Sequence, residues 1–391
     1  MRTIDKSVTV LSTDPWLDRL HGTSVLGLFK SLAKLGYRVN ILLPSVSKGT
    51  MKDGFLSVIC LHVERDLPFF TLVSLYRRAL KHVLKEKSPV LIFDHSMLPL
   101  FFLTKIFRRS KGVMLILSRP VAEKGFFGWL HFSHFRLSLM LSRSFVDKFT
   151  AISPFEAREF SKLGGVPTGK ITVIPSTISE SFERFALPKN IEELRLKLGL
   201  NALFGKKVVI YHGVLDEKKG VMKLVHIFNE SFRDNNNIVL LIVGDGPART
   251  AIEHWIGHNR VENIILLGRL PTSKVPEVVA AIDVGIILHP NHPWWRYQCN
   301  IKMIELLFMG KPILVSDLPG LRWIGANSPL VTYLNQSDPY SFKEESIKLI
   351  SNLEQIAVHA ADARQEMMNR FSSKAVAFRL KRLIDSLQAS Q

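Results

Sequence analysis

Short apolar runs alternate with longer amphipathic segments along the chain. Residues 8–12 (VTVLS) are apolar almost without interruption, as in a strand buried on both faces of a sheet. Residues 24–35 have helical spacing and end at Gly36. The same rhythm predicts further strands at residues 38–44, 55–63, 89–95, 113–118, 148–153 and 171–175. This α/β order predicts a doubly wound parallel sheet.

The alternation of predicted strands and helices is interrupted once and then resumes. Residues 176–206 are polar, and we interpret this stretch as a linker with a helix that leads into a second domain. Further strands are predicted at residues 207–213, 237–243, 264–270, 284–290 and 312–317. We therefore predict one domain over 1–180, a linker over 181–206 and a second domain over 207–370. The last residues, 371–391, are expected to form a helix that crosses back to the first domain.

Length and composition support two globular domains. A chain of 391 residues exceeds what one core usually fills, and 47% hydrophobic residues exclude a disordered chain. Two cysteines cannot build a disulfide framework, which favours a reducing compartment. The first residues lack the apolar segment of a signal peptide, and the most apolar stretch, residues 97–107, is too short to span a bilayer. We expect a cytoplasmic protein.

Positive charge is concentrated in one region. The net charge of +18 favours an anionic partner, and residues 97–145 hold eight Lys or Arg but one acid, Glu123. Within this region, residues 125–145 mix Phe126, Phe127 and Trp129 with arginines. One interpretation is a segment that docks on an anionic membrane, at the inner face of the cell membrane. The other is a buried helix with a solvated basic edge. No RNA-binding module is present, so we expect no nucleic-acid partner.

The first cluster with chemical potential is HGVLDEKKG, residues 212–220. A predicted strand runs into a loop that contains Gly213, Lys218 and Lys219, and a helix follows. Small residues allow the backbone to approach a phosphate, lysine supplies positive charge, and a helix N-terminus favours anions. The alternative is a turn with two solvated lysines.

Two further clusters follow predicted strands. VGDGP, residues 243–247, contains Gly244 at a junction of strand and helix, but it lacks the third glycine of a dinucleotide fingerprint. LGRLP, residues 267–271, places Gly268 and Arg269 in a loop whose backbone can recognise the edge of a base. Each of them alone is also compatible with a plain structural turn.

The fourth cluster, residues 300–317, is the most informative. Asn300 has the position of an N-cap, and Gly310 followed by Pro312 ends the helix. Glu305 lies one turn into this helix, where a carboxylate can accept two hydrogen bonds from the vicinal diol of a ribose. A carboxylate that caps the helix or faces solvent is the alternative.

Together these four clusters resemble the retaining glycosyltransferases of the GT-B fold, of the family 4 or group 1 type. The resemblance covers residues 208–317 well and also touches residues 149–176. It implies two Rossmann-like domains that face each other across a cleft. It also implies transfer of a hexosyl group from a UDP- or GDP-sugar with retention, with neither metal nor another cofactor. The acceptor is expected to be a glycan or a lipid-linked molecule.

The resemblance also implies roles for single residues. Lys219 matches the lysine that contacts the donor pyrophosphate, and Gly268 with its neighbour Arg269 matches the loop beside the base. Glu305 matches the second glutamate of the family's Glu-x7-Glu signature, which holds the ribose hydroxyls. We therefore regard Lys219 and Glu305 as the leading site residues, with Gly213 and Gly244 in the loops around the donor.

Some positions depart from the family pattern. Val214 replaces an arginine of the diphosphate site, and Tyr297 replaces the first glutamate of the signature. The glycine pair after the first strand is missing, and Ser118 with Arg119 stand where a histidine is common. Lys219 is then expected to act with Lys218, Arg119 or Lys302 on the departing diphosphate.

No catalytic base stands out. His95 and Arg119 are the first-domain candidates to face the acceptor or the donor sugar, although both are also compatible with structural loop positions. Two other functions stay open. One is a sugar-nucleotide epimerase of the same fold, and the other is a non-catalytic homologue that has lost Glu and Arg at positions 297 and 214.

Overall fold

The chain folds into two units. The computed structural model describes residues 6–12, 24–45, 49–62, 68–85, 88–93, 97–108, 111–115, 125–335 and 340–389. The first unit comprises residues 1–177 and 373–391, and the second comprises residues 178–372. The sequence-derived boundaries at residues 180, 206 and 370 stay predictions.

A sheet forms the centre of the first unit. Its strands in the described residues are β1 (Ser7–Leu11), β2 (Arg38–Ser45), β3 (Gly49–Asp53), β4 (Leu56–His62), β5 (Val90–Ile92), β6 (Gly112–Leu115), β7 (Lys148–Ala151) and β8 (Ile171–Val173). Their order is β3-β4-β2-β1-β5-β6-β7-β8. All neighbours pair in parallel except β3, which is antiparallel to β4. The predicted doubly wound sheet is confirmed, with β3 as an added edge strand.

Helices cover both faces of this sheet. They are α1 (Ser24–Lys34), α2 (Pro68–Lys85), α3 (Leu98–Arg108), α4 (Phe126–Ser142), α5 (Pro154–Gly164) and, from the end of the chain, α17 (Ser373–Ala389). The core on one face includes side chains of α1 and α17, such as Phe29 and Ile384. The core on the other face includes side chains of α2 to α5, such as Phe101, Phe135 and Phe160.

The second unit contains a parallel sheet. Its strands are β9 (Lys207–His212), β10 (Ile238–Val243), β11 (Ile264–Gly268), β12 (Val284–Ile287), β13 (Ile313–Ser316) and β14 (Val331–Leu334). Their order is β11-β10-β9-β12-β13-β14. This is the 3-2-1-4-5-6 order of a Rossmann sheet, in which the direction of winding reverses between the first and fourth strands.

Helices surround the second sheet. They are α6 (Glu180–Glu183), α7 (Ile191–Lys197), α8 (Val221–Phe232), α9 (Arg249–His258), α10 (Val275–Ala280), α11 (Pro293–Arg296), α12 (Ile301–Phe308), α13 (Pro319–Gly325), α14 (Ser341–Ser351), α15 (Leu353–Ala357) and α16 (Ala360–Phe371). Among the residues that the structure describes, no helix is long and apolar enough to cross a membrane.

A buried arginine anchors α7 to the second sheet. The guanidinium of Arg195 donates to the carboxylate of Asp283 at 2.8 Å and to the carbonyl oxygens of Ala281 and Leu203 at 2.8 and 3.1 Å. Asp283 also accepts from the amide of Val208 at the start of β9, at 2.7 Å. The polar composition of residues 176–206 thus includes charges that are satisfied in the interior.

Candidate functional site

The predicted clusters lie at the carboxyl edge of the second sheet. His212 ends β9, and His289 follows β12, the neighbour of β9 in the sheet. Chain segments leave these two strands in opposite directions, because the winding reverses there. In open parallel sheets this reversal opens a crevice at the carboxyl ends, where ligands bind.

Three glycine loops pack backbone against backbone at this edge. The amide of Gly213 donates to the carbonyl of Val243 at 2.8 Å, and the amide of Gly244 donates to the carbonyl of Gly268 at 2.8 Å. Gly213, Gly244 and Gly268 have φ angles of +124°, +142° and +79°. A β-carbon at Gly244 would overlap the carbonyl of Gly213. The fold therefore requires glycine here, and it brings the three predicted loops together.

A short 3₁₀ turn, residues 217–219, presents Lys219. Asp216 accepts from the amide of Lys218 at 2.9 Å, and Trp295 Nε1 donates to the carbonyl of Lys218 at 2.8 Å. The ammonium of Lys219 lies 6.0 Å from the centre of the Trp295 ring. Burial lowers the pKa of Lys219, and Asp216 opposes this shift. The Lys218 side chain is exposed.

Lys302 supplies a second cation on the same side of the site. Its ammonium is buried and has no hydrogen-bond partner among the described residues, and it lies 4.3 Å from the centre of the Tyr211 ring. A β-carbon at Gly213 would overlap this ammonium, so Lys302 lies directly against the first glycine loop. Burial, followed by repulsion from Lys219, lowers the pKa of Lys302 to about 7, while Glu305 opposes the shift.

Glu305 is buried on α12. The helix begins with Asn300 as N-cap, whose side-chain oxygen accepts from the amide of Met303 at 3.2 Å. Glu305 is 6% exposed, and its Oε1 accepts from the hydroxyl of Ser179. The two alternative interpretations are wrong, since Asn300 is the cap and the carboxylate does not face solvent. Burial raises the pKa of Glu305 to about 7, against the effects of Ser179 and Lys302.

His289 connects the two parts of the site and was missed by the sequence analysis. Its Nε2 lies 2.8 Å from Asn300 Nδ2, and its Nδ1 lies 3.4 Å from the carbonyl oxygen of Lys219. An amide nitrogen only donates and a carbonyl only accepts, so the ring is neutral with its proton on Nδ1. Burial and Lys302 lower the pKa of His289 to about 3, which keeps it neutral.

His212 belongs to the same cluster, because it is close enough to Lys302 to feel its charge. It is buried at the end of β9, and within the part of the chain that the structure describes its Nε2 has no hydrogen-bond partner. Burial, followed by the charge of Lys302, lowers the pKa of His212 to about 3. Histidines at two neighbouring strand ends are a signal that sequence analysis can use, because polar residues there line the crevice.

The other predicted site residues fall in different places. The Arg269 side chain is exposed. Arg249, at the start of α9, lies beside Gly268 and pairs with Glu253 at 2.7 Å, and sequence analysis did not single it out. His95 and Arg119 lie outside the described residues.

The arrangement is suited to an anion with a hydroxylated group attached. Two lysine ammonium groups and the loop of Gly213 line one side, and a buried carboxylate lies one helical turn away from Lys302. Positive charge held in a buried setting stabilises phosphate charge more strongly than charge in water. Within the described residues, no group of three or more His, Cys, Asp or Glu side chains is placed to hold a metal ion.

Comparisons with known proteins follow the same division of the chain. The family model described as glycosyl transferases group 1 matches residues 206–352, and the glycosyl transferase 4-like domain matches residues 21–177. Among curated proteins, the 2-deoxystreptamine glucosyltransferase of Streptomyces kanamyceticus is 25% identical over 152 residues, which cover 39% of this chain and 38% of that protein. The matched stretch thus spans less than half of the relative's length.

Solved structures match along nearly the whole chain. Sucrose-phosphate synthase from Thermosynechococcus elongatus has a TM-score of 0.77 at 16% identity, covering 99% of this chain and 100% of its own. Anabaena HepE, in complex with UDP, has a TM-score of 0.74 at 16% identity, covering 97% of this chain and 100% of its own. These similarities show the shared fold, and each of the two glycosyltransferase family models matches one half of the chain. The chain therefore belongs to the group 1, or family 4, glycosyltransferases with the GT-B fold.

Proposed function

We propose that this protein transfers a hexosyl group from a nucleotide-diphosphate sugar to an acceptor, with retention and without a metal ion. The observation that carries the proposal is the placement of Lys219, Lys302 and Glu305 around the glycine loops at the switch point of the second sheet. This placement matches the needs of a nucleotide diphosphate. The matched curated relative is named a glucosyltransferase, and HepE has also been solved with UDP-glucose, which favours a UDP-sugar donor over a GDP-sugar.

Each residue has a distinct part in this proposal. Glu305 accepts hydrogen bonds from the two ribose hydroxyls, and Ser179 orients its carboxylate. Lys219 and Lys302 contact the diphosphate and offset the negative charge that grows on it as the glycosidic bond breaks. Lys302 thereby takes over from the arginine that Val214 replaces. The Gly268 loop, with Arg249 and Arg269, lies beside the base.

The acceptor side is assigned to the first unit. We propose a glycan or a lipid-linked acceptor, used in the cytoplasm by an enzyme that binds peripherally to the inner membrane face. His95 and Arg119 stay the candidates that face the acceptor or the donor sugar. Tyr297 occupies the position of the first signature glutamate. The centre of its ring lies 5.6 Å from the guanidinium of Arg296.

Calorimetry of the full chain with UDP, GDP and their glucose esters tests the donor site. The Glu305→Ala variant is expected to lose affinity for UDP by about ten- to a hundred-fold, because a carboxylate that accepts two ribose hydrogen bonds contributes about 1.5–3 kcal/mol. Glu354→Ala, which removes an exposed carboxylate on α15, is the matched control and should bind UDP as wild type does. Equal affinity of wild type and Glu305→Ala would contradict the ribose assignment.

A turnover assay separates transfer from the two other functions. Release of UDP from UDP-glucose only in the presence of acceptor, in buffer with EDTA, is the expected result. Conversion of the sugar nucleotide to its epimer without acceptor would favour the epimerase. Binding without any turnover across acceptors would favour a non-catalytic homologue. The anomeric coupling of the product, measured by NMR, tests retention.

A further inference from the structure

Three successive helices on one face of the first sheet contain no acidic residue. The sequences of α2, α3 and α4 have no Asp or Glu, although they hold several Lys and Arg. The three helices share one core, to which they contribute Ala79, Val83, Leu100, Phe101, Phe135 and Leu139. We call their outer surface the α2–α4 face.

The outer side of α3 is apolar. Residues 99, 102, 103, 106 and 107 are exposed, and this spacing places them along one stripe of the helix. Four of them are large apolar residues, and Phe107 is 67% exposed. Solvated helices normally present polar residues on this side. The outer stripe of α3 therefore has the character of a contact surface.

The neighbouring helix α4 is apolar on both sides. Phe135 and Leu139 lie in the core, while the opposite side exposes Phe126, Trp129, Leu130, Leu137, Met140 and Leu141. At about 100° per residue, these six exposed positions fall within roughly 60° of one line along the helix. Trp129 is 58% exposed. A helix that is apolar all round is normally buried on all sides.

The two stripes are close to each other, and basic residues flank them. The rings of Phe102 on α3 and Phe145 after α4 are 5.3 Å apart and pack edge to face. On α2, which packs beside α3, Arg77, Arg78 and Lys81 are exposed, and on α4 Arg136 is exposed at the margin of the stripe. Long basic side chains can keep their charge at the lipid headgroups while the apolar residues beside them enter the interface.

We propose that the α2–α4 face docks on an anionic lipid bilayer. Exposed aromatic and aliphatic residues beside exposed arginine and lysine side chains are the composition of an interfacial membrane surface. A second copy of the chain would bring basic margins against each other, which is unfavourable. This surface deepens the proposed function and rests on its peripheral membrane binding, which it assigns to the α2–α4 face, but it needs neither donor nor transfer chemistry.

Flotation of the full chain with vesicles tests the proposal. One vesicle is phosphatidylcholine with a quarter phosphatidylglycerol, and the other is phosphatidylcholine alone. The wild type is expected to float with the anionic vesicles at least about ten-fold more strongly than with the neutral ones, and to lose most of this binding in 0.5 M salt.

Two variants address the two components of the surface. Ile106→Ser/Phe107→Ser removes part of the apolar stripe, and Arg77→Ala/Arg78→Ala/Lys81→Ala removes basic charge beside it. Each is expected to weaken binding to anionic vesicles by about ten-fold or more. Phe378→Ser and Lys374→Ala/Arg382→Ala, exposed positions on α17 at the other face of the sheet, are the matched controls and should bind as wild type does.

Each outcome either upholds or overturns the proposed docking of the α2–α4 face. Failure of the wild type to bind anionic vesicles at low salt would overturn the proposal, as would variants on the face that bind like the controls. A wild-type dimer that Ile106→Ser/Phe107→Ser converts to monomer in sedimentation velocity would assign the face to a second copy and also overturn it. Far-UV circular dichroism and UDP binding of each variant separate loss of the surface from loss of the fold. Vesicle binding without UDP binding would uphold this face while contradicting the proposed donor site.

Discussion

At the scale of single residues, the most informative group is the ammonium of Lys302. The sequence places it on a helix beside Glu305, but only the structure shows that it is buried, has no partner for a hydrogen bond in the described ranges, and contacts Gly213. A buried unpartnered cation is unfavourable for stability and favourable for binding an anion. This is the property expected of a residue that replaces a missing arginine in a diphosphate site.

The first prediction follows from this burial. Lys302→Met keeps the length of the side chain and removes the charge, so it should weaken UDP binding by about ten- to a hundred-fold, at about 1.5–3 kcal/mol for a charge-assisted contact. Binding of uridine, which has no phosphate, should change little. Lys343→Met is the control, because the Lys343 side chain is exposed on α14 and has no part in the proposed donor site. Calorimetry with UDP and uridine checks this, and equal losses for both ligands would contradict it.

The second prediction concerns the pH dependence of donor affinity. The ligand is UDP-glucose, because the doubly esterified diphosphate of this molecule does not titrate near neutrality. The pKa of Lys302 is lowered to about 7 and that of Glu305 is raised to about 7. At pH 8 Lys302 is largely neutral and Glu305 is ionised. A diphosphate favours the charged lysine, so binding at pH 8 takes up a proton, and affinity falls as the pH rises above 7.

Below pH 7 the binding of UDP-glucose is expected to release a proton instead of taking one up. Lys302 is then charged while Glu305 is largely protonated, and ribose hydroxyls favour the ionised carboxylate, so binding releases a proton. Affinity is therefore expected to peak near pH 7. Calorimetry at pH 6 and pH 8 in two buffers with different ionisation enthalpies measures the proton count directly. Proton uptake at pH 8 should vanish in Lys302→Met, and uptake that persists in this variant would assign the titration to another group.

At the scale of elements, the sequence predicted the positions of the interior strands well. The apolar runs at residues 207–213 and 264–270 correspond to β9 and β11, with ends that differ by one or two residues. The sequence located the site loops because a glycine lies at or near the end of each of these apolar runs. In the structure these glycines have positive φ angles, which other residues rarely adopt. The edge strand β3 was missed, since GTMKD has no apolar run and gains its order from pairing with β4. Its signal was Gly54, which has a φ of +59° and begins the two-residue turn of residues 54–55 between β3 and β4.

What the sequence could not show is contact across long separations. The carboxylate of Glu305 meets the hydroxyl of Ser179, and Arg195 meets Asp283, although many residues separate each pair along the chain. Both contacts join the polar stretch of residues 176–206 to later parts of the second unit, one to α12 and the other to the residue before β12. Composition indicated a linker there, because charged residues usually face solvent. Their burial depends on partners that only the folded chain supplies.

The third prediction tests the glycine loops as a structural unit. Gly244 has a φ of +142°, and a β-carbon there would overlap the carbonyl of Gly213, so Gly244→Ala should destabilise the second unit by more than about 1 kcal/mol. UDP binding should weaken as well, because the loop must shift. Gly257→Ala is the control. Gly257 lies in α9 with open space around it, and alanine there should stabilise by about 0.5–1 kcal/mol. Urea unfolding of both variants gives the comparison.

At the scale of the whole molecule, the second unit is an insertion within the first. The chain leaves the first unit after Thr177 and returns at Ser373. Near these points the amide of Ile178 donates to the carbonyl of Phe371 at 2.9 Å, so the two ends of the second unit are neighbours. Units whose ends are close are well suited to fold independently.

The last prediction uses this arrangement. The fragment 178–372 contains Glu305 with its partner Ser179, both site lysines and the three glycine loops, so it is expected to unfold cooperatively in urea and to bind UDP within about three-fold of the full chain. The fragment 1–177 should not fold, because α17 contributes Leu380 and Ile384 to its core, and losing even one such side chain costs about 2–5 kcal/mol. Linking residues 373–391 to residue 177 through a short glycine-serine segment should restore cooperative unfolding. A fragment 178–372 that folds but does not bind UDP would show that the first unit supplies part of the donor site. A fragment 1–177 that folds without α17 would contradict the structural role of that helix.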